Sequence, residues 1–167
     1  SKASAQSVQT DTTWTRSGSA TVTVVNNQAA DYDNRTLVIT NTAGTTKTYT
    51  FDGYSSFNAS NVPTIGISGD STTGIATNIK TAIEHANGHN GTISVSRDAL
   101  VLTLNQQLAG DSGNNTITKT IADGQITVSG FAGGISDKPI EIYAIRDDFN
   151  SENVYFQCTS SLLQINL

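Results

Sequence analysis

Short runs in which apolar and polar residues alternate recur along the chain, and this spacing fits half-buried β-strands. Val22 and Val24 alternate with threonines, which places the valines on one face of a strand and the hydroxyls on the other. The segments 37–39 and 49–51 predict two further strands. The turn-forming residues at 41–45 join them as a hairpin, because a glycine in that loop can take a left-handed conformation.

One segment has helical spacing instead. The hydroxyls of 71–73 can cap a helix N-terminus, and Gly88 is suited to end the helix in a left-handed conformation. Apolar residues recur between them at intervals of three and four, at Ile75, Ile79, Ala82, Ile83 and Ala86. The opposite face carries Asn78, Lys80, Thr81 and Glu84. The pattern predicts an amphipathic helix at about 72–87 that covers a sheet.

Further alternation after the helix predicts a second hairpin, with Ile93 and Val95 on one strand and a turn at Arg97–Asp98. Leu100, Leu102 and Leu104 line the returning strand. Short strands are predicted at 116–120 and 125–129. The expected fold class is mainly β (α+β), an antiparallel sheet or sandwich with one amphipathic helix and extended terminal arms.

The two ends of the chain differ from this middle portion. Residues 1–19 are polar and aperiodic and are expected to form an arm, whereas residues 20–134 are expected to form a core module. Residues 135–167 are expected to form strands whose apolar side has no evident partner in that module. A strand without a partner pairs readily with another chain. The residues expected to make contacts between subunits are Trp14, Arg16, Ile142, Val154, Phe156, Leu163 and Ile165.

Composition and charge exclude several classes of function. The net charge of −5 and the scattered nine basic residues argue against nucleic-acid binding, which needs clustered positive charge. No apolar stretch approaches the ~20 residues of a membrane span. The single cysteine, Cys158, precludes an intrachain disulfide and is expected to be a buried small apolar residue.

Three groups of residues could in principle support chemistry. Gly110–Gly113 has the Gly-Asp-Ser-Gly order found around a serine nucleophile, but the available histidines, His85 and His89, are too close along the chain for a two-barrel protease. The same histidines lack a third metal ligand and are expected to serve at a helix end or turn. The acidic stretches 31–34 and 147–150 lack the spacing of a calcium loop. We therefore expect no catalytic residue, no cofactor and no metal.

A resemblance becomes apparent over residues 20–134. The run Gly44–Phe51 (GTTKTYTF), the run Gly88–Ile93 (GHNGTI) and the ending Ser129–Gly134 (SGFAGG) follow one another in the order seen in a recurring β-rich module. Residues 20–134 of this chain thus resemble a module that recurs in structural proteins of tailed phages of the marine type. The resemblance implies a place in a virion and no active site.

From this resemblance the chain is expected to be a capsid decoration (cement) protein or another head or tail component. Its expected partners are its own copies, for example as a trimer, and the major capsid or tail proteins. An alternative of another class is a receptor- or glycan-binding module of a tail fibre, in which Tyr32, Tyr54 and Phe57 would act as exposed stacking platforms. A hydrolase is a third alternative, against which the lack of a credible triad or metal set argues.

Overall fold

The computed structural model describes residues 15–136 and the strand segments 143–145, 153–158 and 161–166. The chain divides into two compact units, residues 1–136 and residues 137–167. The strands are β1 (Ser19–Val24), β2 (Thr36–Thr40), β3 (Thr46–Asp52), β4 (Thr64–Gly66), β5 (Ile93–Asp98), β6 (Val101–Gln106), β7 (Thr118–Lys119), β8 (Ile126–Val128), β9 (Tyr143–Ile145), β10 (Asn153–Cys158) and β11 (Ser161–Asn166). The helices are α1 (Ala29–Tyr32) and α2 (Thr72–Glu84), and single 3₁₀ turns lie at Ala59–Asn61 and Asp111–Gly113.

The first unit contains two four-stranded sheets. In the first sheet the strand order is β5-β6-β1-β8 and all neighbours are antiparallel. In the second sheet the order is β4-β3-β2-β7, and only the pair β3 and β4 is parallel. The predicted fold class, mainly β with one principal helix, is confirmed. Within the described residues no helix has both the length and the apolar character that a membrane crossing requires.

The core lies between these sheets and α2, and buried residues from all three form one cluster. The register of β1 and β6 pairs Val22 with Leu102 and Ala20 with Leu104, all four of them buried. The predicted alternation in β1 is therefore confirmed. Tyr49 and Phe51 of β3 are buried as well, so the aromatic pair belongs to the core.

Helix α2 begins as predicted and ends earlier than predicted. The Ser71 hydroxyl caps it by accepting a hydrogen bond from the Gly74 amide at 3.2 Å. The helix stops at Glu84, and the chain turns back so that the His89 amide donates to the Ile83 carbonyl at 2.6 Å. The predicted left-handed cap at Gly88 is wrong, because Gly88 has no positive φ. Glycine is required there because the backbone comes very close to the helix: a Cβ would lie 2.1 Å from the Ala82 carbonyl oxygen.

Two polar residues of α2 protect the edge of the first sheet. Lys80 and Glu84 form an ion pair at 2.5 Å, and both also bond to the backbone of Val95 in the edge strand β5. Lys80 donates to the Val95 carbonyl at 2.6 Å and Glu84 accepts from the Val95 amide at 2.8 Å. Both side chains are half-buried at the sheet edge. The amide and carbonyl of Val95, which could otherwise pair with another chain, therefore already have hydrogen-bond partners.

Two local expectations are corrected. The turn of the second hairpin lies at Ala99–Leu100, where Ala99 has a φ of 48°, and Arg97–Asp98 belong to β5. Strands β7 and β8 follow each other along the chain but join different sheets. The turn between them therefore carries the chain from the second sheet to the first.

Candidate interaction surfaces

The two ends of the described part of the first unit, residues 15–136, meet at one seam. Arg16 pairs with Ile135 through two backbone hydrogen bonds of 3.0 and 2.9 Å, and Ser19 pairs with Ala132 in the same way. The Arg16 side chain lies along this seam, and its Nε donates to the Gly133 carbonyl at 2.7 Å. Residues 16–19, expected to be part of an arm, are thus integral to the module, and the interface role predicted for Arg16 stays a prediction.

The Gly-Asp-Ser-Gly segment and the asparagine that follows it hold the outgoing chain at Gly134–Ser136 in place. The Asn114 side chain clamps Gly134 by accepting from its amide at 2.7 Å and donating to its carbonyl at 3.0 Å. The Ser136 hydroxyl donates to the Asp111 carboxylate at 2.6 Å and accepts from the Asp111 amide at 3.1 Å. Gly134 also packs so closely that a Cβ would lie 2.2 Å from the Gly110 carbonyl oxygen. The segment that resembles a nucleophile motif therefore has a structural use at the seam.

The two histidines occupy the helix end and the core. The His85 ring accepts a hydrogen bond from the Asn87 amide at 3.2 Å, at the C-terminal end of α2. His89 is buried, and its Nε2 lies 3.1 Å from the Ile39 carbonyl oxygen. Because a carbonyl can only accept, Nε2 carries the proton in the neutral ring. Its neighbour Tyr49 has the only buried side-chain polar atom without a hydrogen-bond partner among the described residues.

His89 should make stability depend on pH. Burial lowers the pKa of His89 from its ordinary 6.5, the charge of Lys47 lowers it further, and the hydrogen bond to Ile39 offsets part of the shift. The unfolded chain therefore takes up a proton near pH 6.5 while the folded chain does not. Stability should be complete above that pH and should fall as the pH drops from there toward the folded-state pKa.

Melting temperatures measured between about pH 7.5 and about pH 5 test this expectation. His89→Gln keeps a neutral donor for the Ile39 carbonyl and should flatten the profile over that range. The matched control is His85→Gln, which leaves the buried ring in place and should retain the wild-type slope. An unchanged slope in His89→Gln would show that other groups cause the dependence.

Among the described residues, the acidic positions do not come together as a metal site. Within residues 15–136 and the three described strand segments, no group of three or more His, Cys, Asp or Glu side chains could hold an ion. Asp33 accepts from the Gly53 amide at 3.1 Å and Asp31 accepts from the Gln125 side chain at 2.9 Å, so both fix loops. The stretch 147–150 lies outside the described residues.

The three aromatic residues expected to form a glycan platform are not equivalent. Tyr32 is fully buried, and its hydroxyl lies 2.6 Å from the Asn26 carbonyl oxygen, so its expected exposure is wrong. Phe57 is partly buried against the core. Only Tyr54 is open, with 74% of its surface exposed. It stands on a turn in which the Asp52 carboxylate accepts from the Tyr54 and Ser55 amides. A single exposed ring does not make a stacking platform. The three aromatic residues therefore do not support the alternative of a receptor- or glycan-binding module.

The second unit contains a three-stranded antiparallel sheet with the order β11-β10-β9. Four of the predicted interface residues pair with each other in it: Val154 with Ile165, and Phe156 with Leu163. Phe156 also pairs with Ala144 of β9. Strand alternation places these five positions on one face of the sheet. The prediction of strands is confirmed, and these strands find partners within their own unit.

Two predicted interface residues, Trp14 and Ile142, lie outside the described residues. For Val154, Phe156, Leu163 and Ile165 the structure gives the strand pairing. The structure brings these four together in one sheet, whereas Arg16 belongs to the seam of the other unit.

A shallow cleft of about 260 Å³ opens beside the seam. Its walls are the hairpin residues 41–43, the loop residues 91–92 and the residues 107–108 that follow β6. The lining is mostly apolar, and Leu108 has 61% of its surface exposed. We call this feature the Leu108 cleft. Sequence reasoning missed it, although a leucine two residues beyond a strand end and two residues before Gly110 was a signal that could have been noted.

The side chain that ties the cleft to the core was also missed. Gln106 is buried at the end of β6, and its amide accepts from the Thr42 backbone amide at 3.0 Å and donates to the Thr40 carbonyl at 3.1 Å. Gln106 thereby joins the first sheet to the second. Its position on the apolar face of β6, two residues after Leu104, was the available signal.

Comparisons of the chain with protein-family models, curated proteins and solved structures give no significant match. Function is therefore inferred from the geometry and the sequence of this chain alone.

Proposed function

We propose that this protein is a structural component of a bacteriophage virion, a capsid decoration protein that acts through contacts between subunits. The observation that carries the assembly part is the sheet of the second unit. Its register gathers five apolar positions on one face. Assignment to a virion depends on the resemblance over residues 20–134.

A small sheet of this kind needs cover on its apolar face. Three strands with one apolar face are stable when that face packs against something else. The described part of residues 137–167 consists of these strands alone. An identical sheet from another copy supplies a matching apolar face, and closed symmetry is the usual outcome of such self-complementary contacts. The strands β9 and β11 each have one neighbour among the described strands, which leaves a side of each for pairing.

The geometry of the first unit supports a non-catalytic reading. His89 is engaged with the Ile39 carbonyl, and the Ser136–Asp111 and Asn114–Gly134 contacts give the Gly-Asp-Ser-Gly segment a structural task.

Replacing Phe156 by aspartate should abolish self-association. A charge at the centre of the apolar row cannot be buried against a partner without a large desolvation cost. Light scattering on the full chain should show an oligomer for the wild type and a monomer for Phe156→Asp. Gln157→Asp is the matched control, because alternation puts position 157 on the other face of β10, and it should keep the oligomer.

Binding to particles tests the rest of the proposal. Virions produced from the genome that carries this gene should contain the protein by peptide mass spectrometry, and purified wild-type protein should bind particles that lack it. A wild-type chain that stays monomeric at every concentration and binds no particle would refute the proposal. Capsid, portal or tail genes as neighbouring reading frames would support it.

A further inference from the structure

We propose that Asn90 is a site of spontaneous covalent modification, at which the Gly91 backbone nitrogen attacks the Asn90 side-chain amide and the asparagine becomes aspartate or isoaspartate. The reaction needs no enzyme and no cofactor, because its only co-reactant is water. The inference concerns the turn between α2 and β5 and does not depend on the virion proposal.

The sequence contains two Asn-Gly pairs, at 87–88 and at 90–91. Glycine after an asparagine favours the reaction, because a residue without a Cβ leaves its backbone nitrogen open to approach. Both pairs lie in the turns that follow α2, and both asparagines are exposed. The sequence alone gives the two pairs the same reactivity, so any difference between them comes from how the fold holds each glycine amide.

The first pair is held in place. The Gly88 amide donates to the His85 carbonyl at 2.8 Å, and the Asn87 amide donates to His85 Nδ1 at 3.2 Å. Gly88 is buried, and its backbone packs directly against the Ala82 carbonyl oxygen. Attack by the Gly88 nitrogen therefore requires this turn to open and to lose its hydrogen bonds first.

The second pair is free to react. Within the described part of the chain, neither the Gly91 amide nor the Asn90 side chain makes a hydrogen bond. Gly91 is exposed, and a Cβ built on it would meet nothing within 4 Å. The nucleophilic nitrogen and the side-chain amide are therefore both open to water and to each other.

The turn around Asn90 can bring the two groups together without unfolding. The His89 carbonyl accepts from the Thr92 amide at 2.9 Å and from the Ile93 amide at 3.1 Å, and these hydrogen bonds close the turn. Gly91 has a φ of 71°, as the third residue of a type II turn requires. Rotation of the Asn90–Gly91 peptide interconverts type I and type II turns. The Gly91 nitrogen can thus reach the Asn90 side chain while the closing hydrogen bonds remain.

The chemistry follows from this intramolecular placement. The Gly91 nitrogen gives up its proton and forms a bond to Asn90 Cγ, the bond from Cγ to the side-chain nitrogen breaks, and ammonia leaves with a proton. The resulting five-membered succinimide then adds one water molecule at either ring carbonyl. Cleavage of the bond from the ring nitrogen to that carbonyl leaves aspartate or isoaspartate. In sum, one water is consumed and one ammonia is released.

The product changes the surface beside the turn. Gly91 and Thr92 line the Leu108 cleft, so the new carboxylate lies next to a mostly apolar opening. The net charge of −5 becomes more negative by one. In the isoaspartate product the main chain also runs through the former side chain, which lengthens the backbone of the turn by one carbon.

Time courses of the folded full-length protein at mildly alkaline pH test the proposal. Fragment mass spectra of the peptide that carries both pairs should show Asn90 converting about tenfold or more faster than Asn87, because only Asn87 waits for local opening. The urea-unfolded chain is the control and should convert both at similar rates. Equal rates in the folded protein, or a folded Asn90 as slow as Asn87, would overturn the proposal.

Two matched variants provide an independent readout. Anion-exchange chromatography of the aged wild type should show a fast-forming acidic species that elutes with the Asn90→Asp variant. Asn90→Gln should lack this species, because its longer side chain cannot close the five-membered ring. Asn87→Gln should still form it at the wild-type rate. Both substitutions are at exposed positions and should leave the fold intact. An acidic species that forms unchanged in Asn90→Gln would contradict the assignment to Asn90.

Discussion

Replacing Gly88 by alanine should destabilise the first unit by about 3 kcal/mol, within the upper range of overpacking effects. The added Cβ would lie 2.1 Å from the Ala82 carbonyl oxygen, 2.7 Å from that of Ile83 and 3.0 Å from the Tyr49 hydroxyl. Two of these neighbours are helix backbone, which cannot move aside as a flexible side chain can. The reversal after α2, including the hydrogen bond from His89 to Ile83, would have to shift as a whole.

Urea unfolding followed by circular dichroism measures this effect. Gly124→Ala is the matched control, because a Cβ at Gly124 meets nothing within 4 Å and the residue has no positive φ. That substitution should be neutral or should stabilise the protein by up to about 1 kcal/mol through the unfolded state. Equal unfolding free energies for the two variants would show that the approach at Gly88 is not as close as described.

Removal of the Gln106 side chain should also cost about 3 kcal/mol. Gln106→Ala leaves a cavity at the end of β6 and deprives the Thr42 amide and the Thr40 carbonyl of their partner. Gln107→Ala, the next residue, is the matched control, because its side chain is exposed and bonds only to Ser94 at 2.7 Å in the described structure. That change should fall within about 0.5 kcal/mol of the wild type.

The isosteric variant Gln106→Glu separates packing from hydrogen bonding. Its carboxylate can accept from Thr42 but cannot donate to Thr40, and burial should raise its pKa above that of the unfolded chain. The variant should therefore be weakest above the raised pKa and should recover stability as the pH falls toward the ordinary carboxyl pKa of about 4.3. A pH-independent difference from the wild type would show that the site is open to water.

The fold class was predictable because β1, β3 and α2 each follow a single periodicity over several residues. Which strands pair with one another could not be predicted from periodicity. Strands β7 and β8 are two and three residues long, and nothing in a run so short indicates which sheet it will join. Gln106 looks like an ordinary polar strand residue until the backbone amide that it caps, 64 positions away, is known.

The structural role of glycine was the hardest to predict from the sequence. Gly88 follows a helical pattern, and its neighbours suggested a left-handed cap, but close approach of two backbones imposes the same requirement without any local signal. The two candidate surfaces also differ in how far the sequence predicts them. The apolar alternation of the C-terminal strands was visible in the sequence, whereas the Leu108 cleft is built from three loops that come together only in the fold.

The pairing of Arg16 with Ile135 has a consequence for how such a unit can spread among genes. The two ends of residues 16–135 lie side by side in an isolated antiparallel bridge, so the whole unit could replace a surface hairpin of a host protein while leaving its flanking strands where they were. Domains whose ends lie close together tolerate this kind of insertion. Because its two ends meet at the seam, the module could be inserted into a larger polypeptide at a single surface turn.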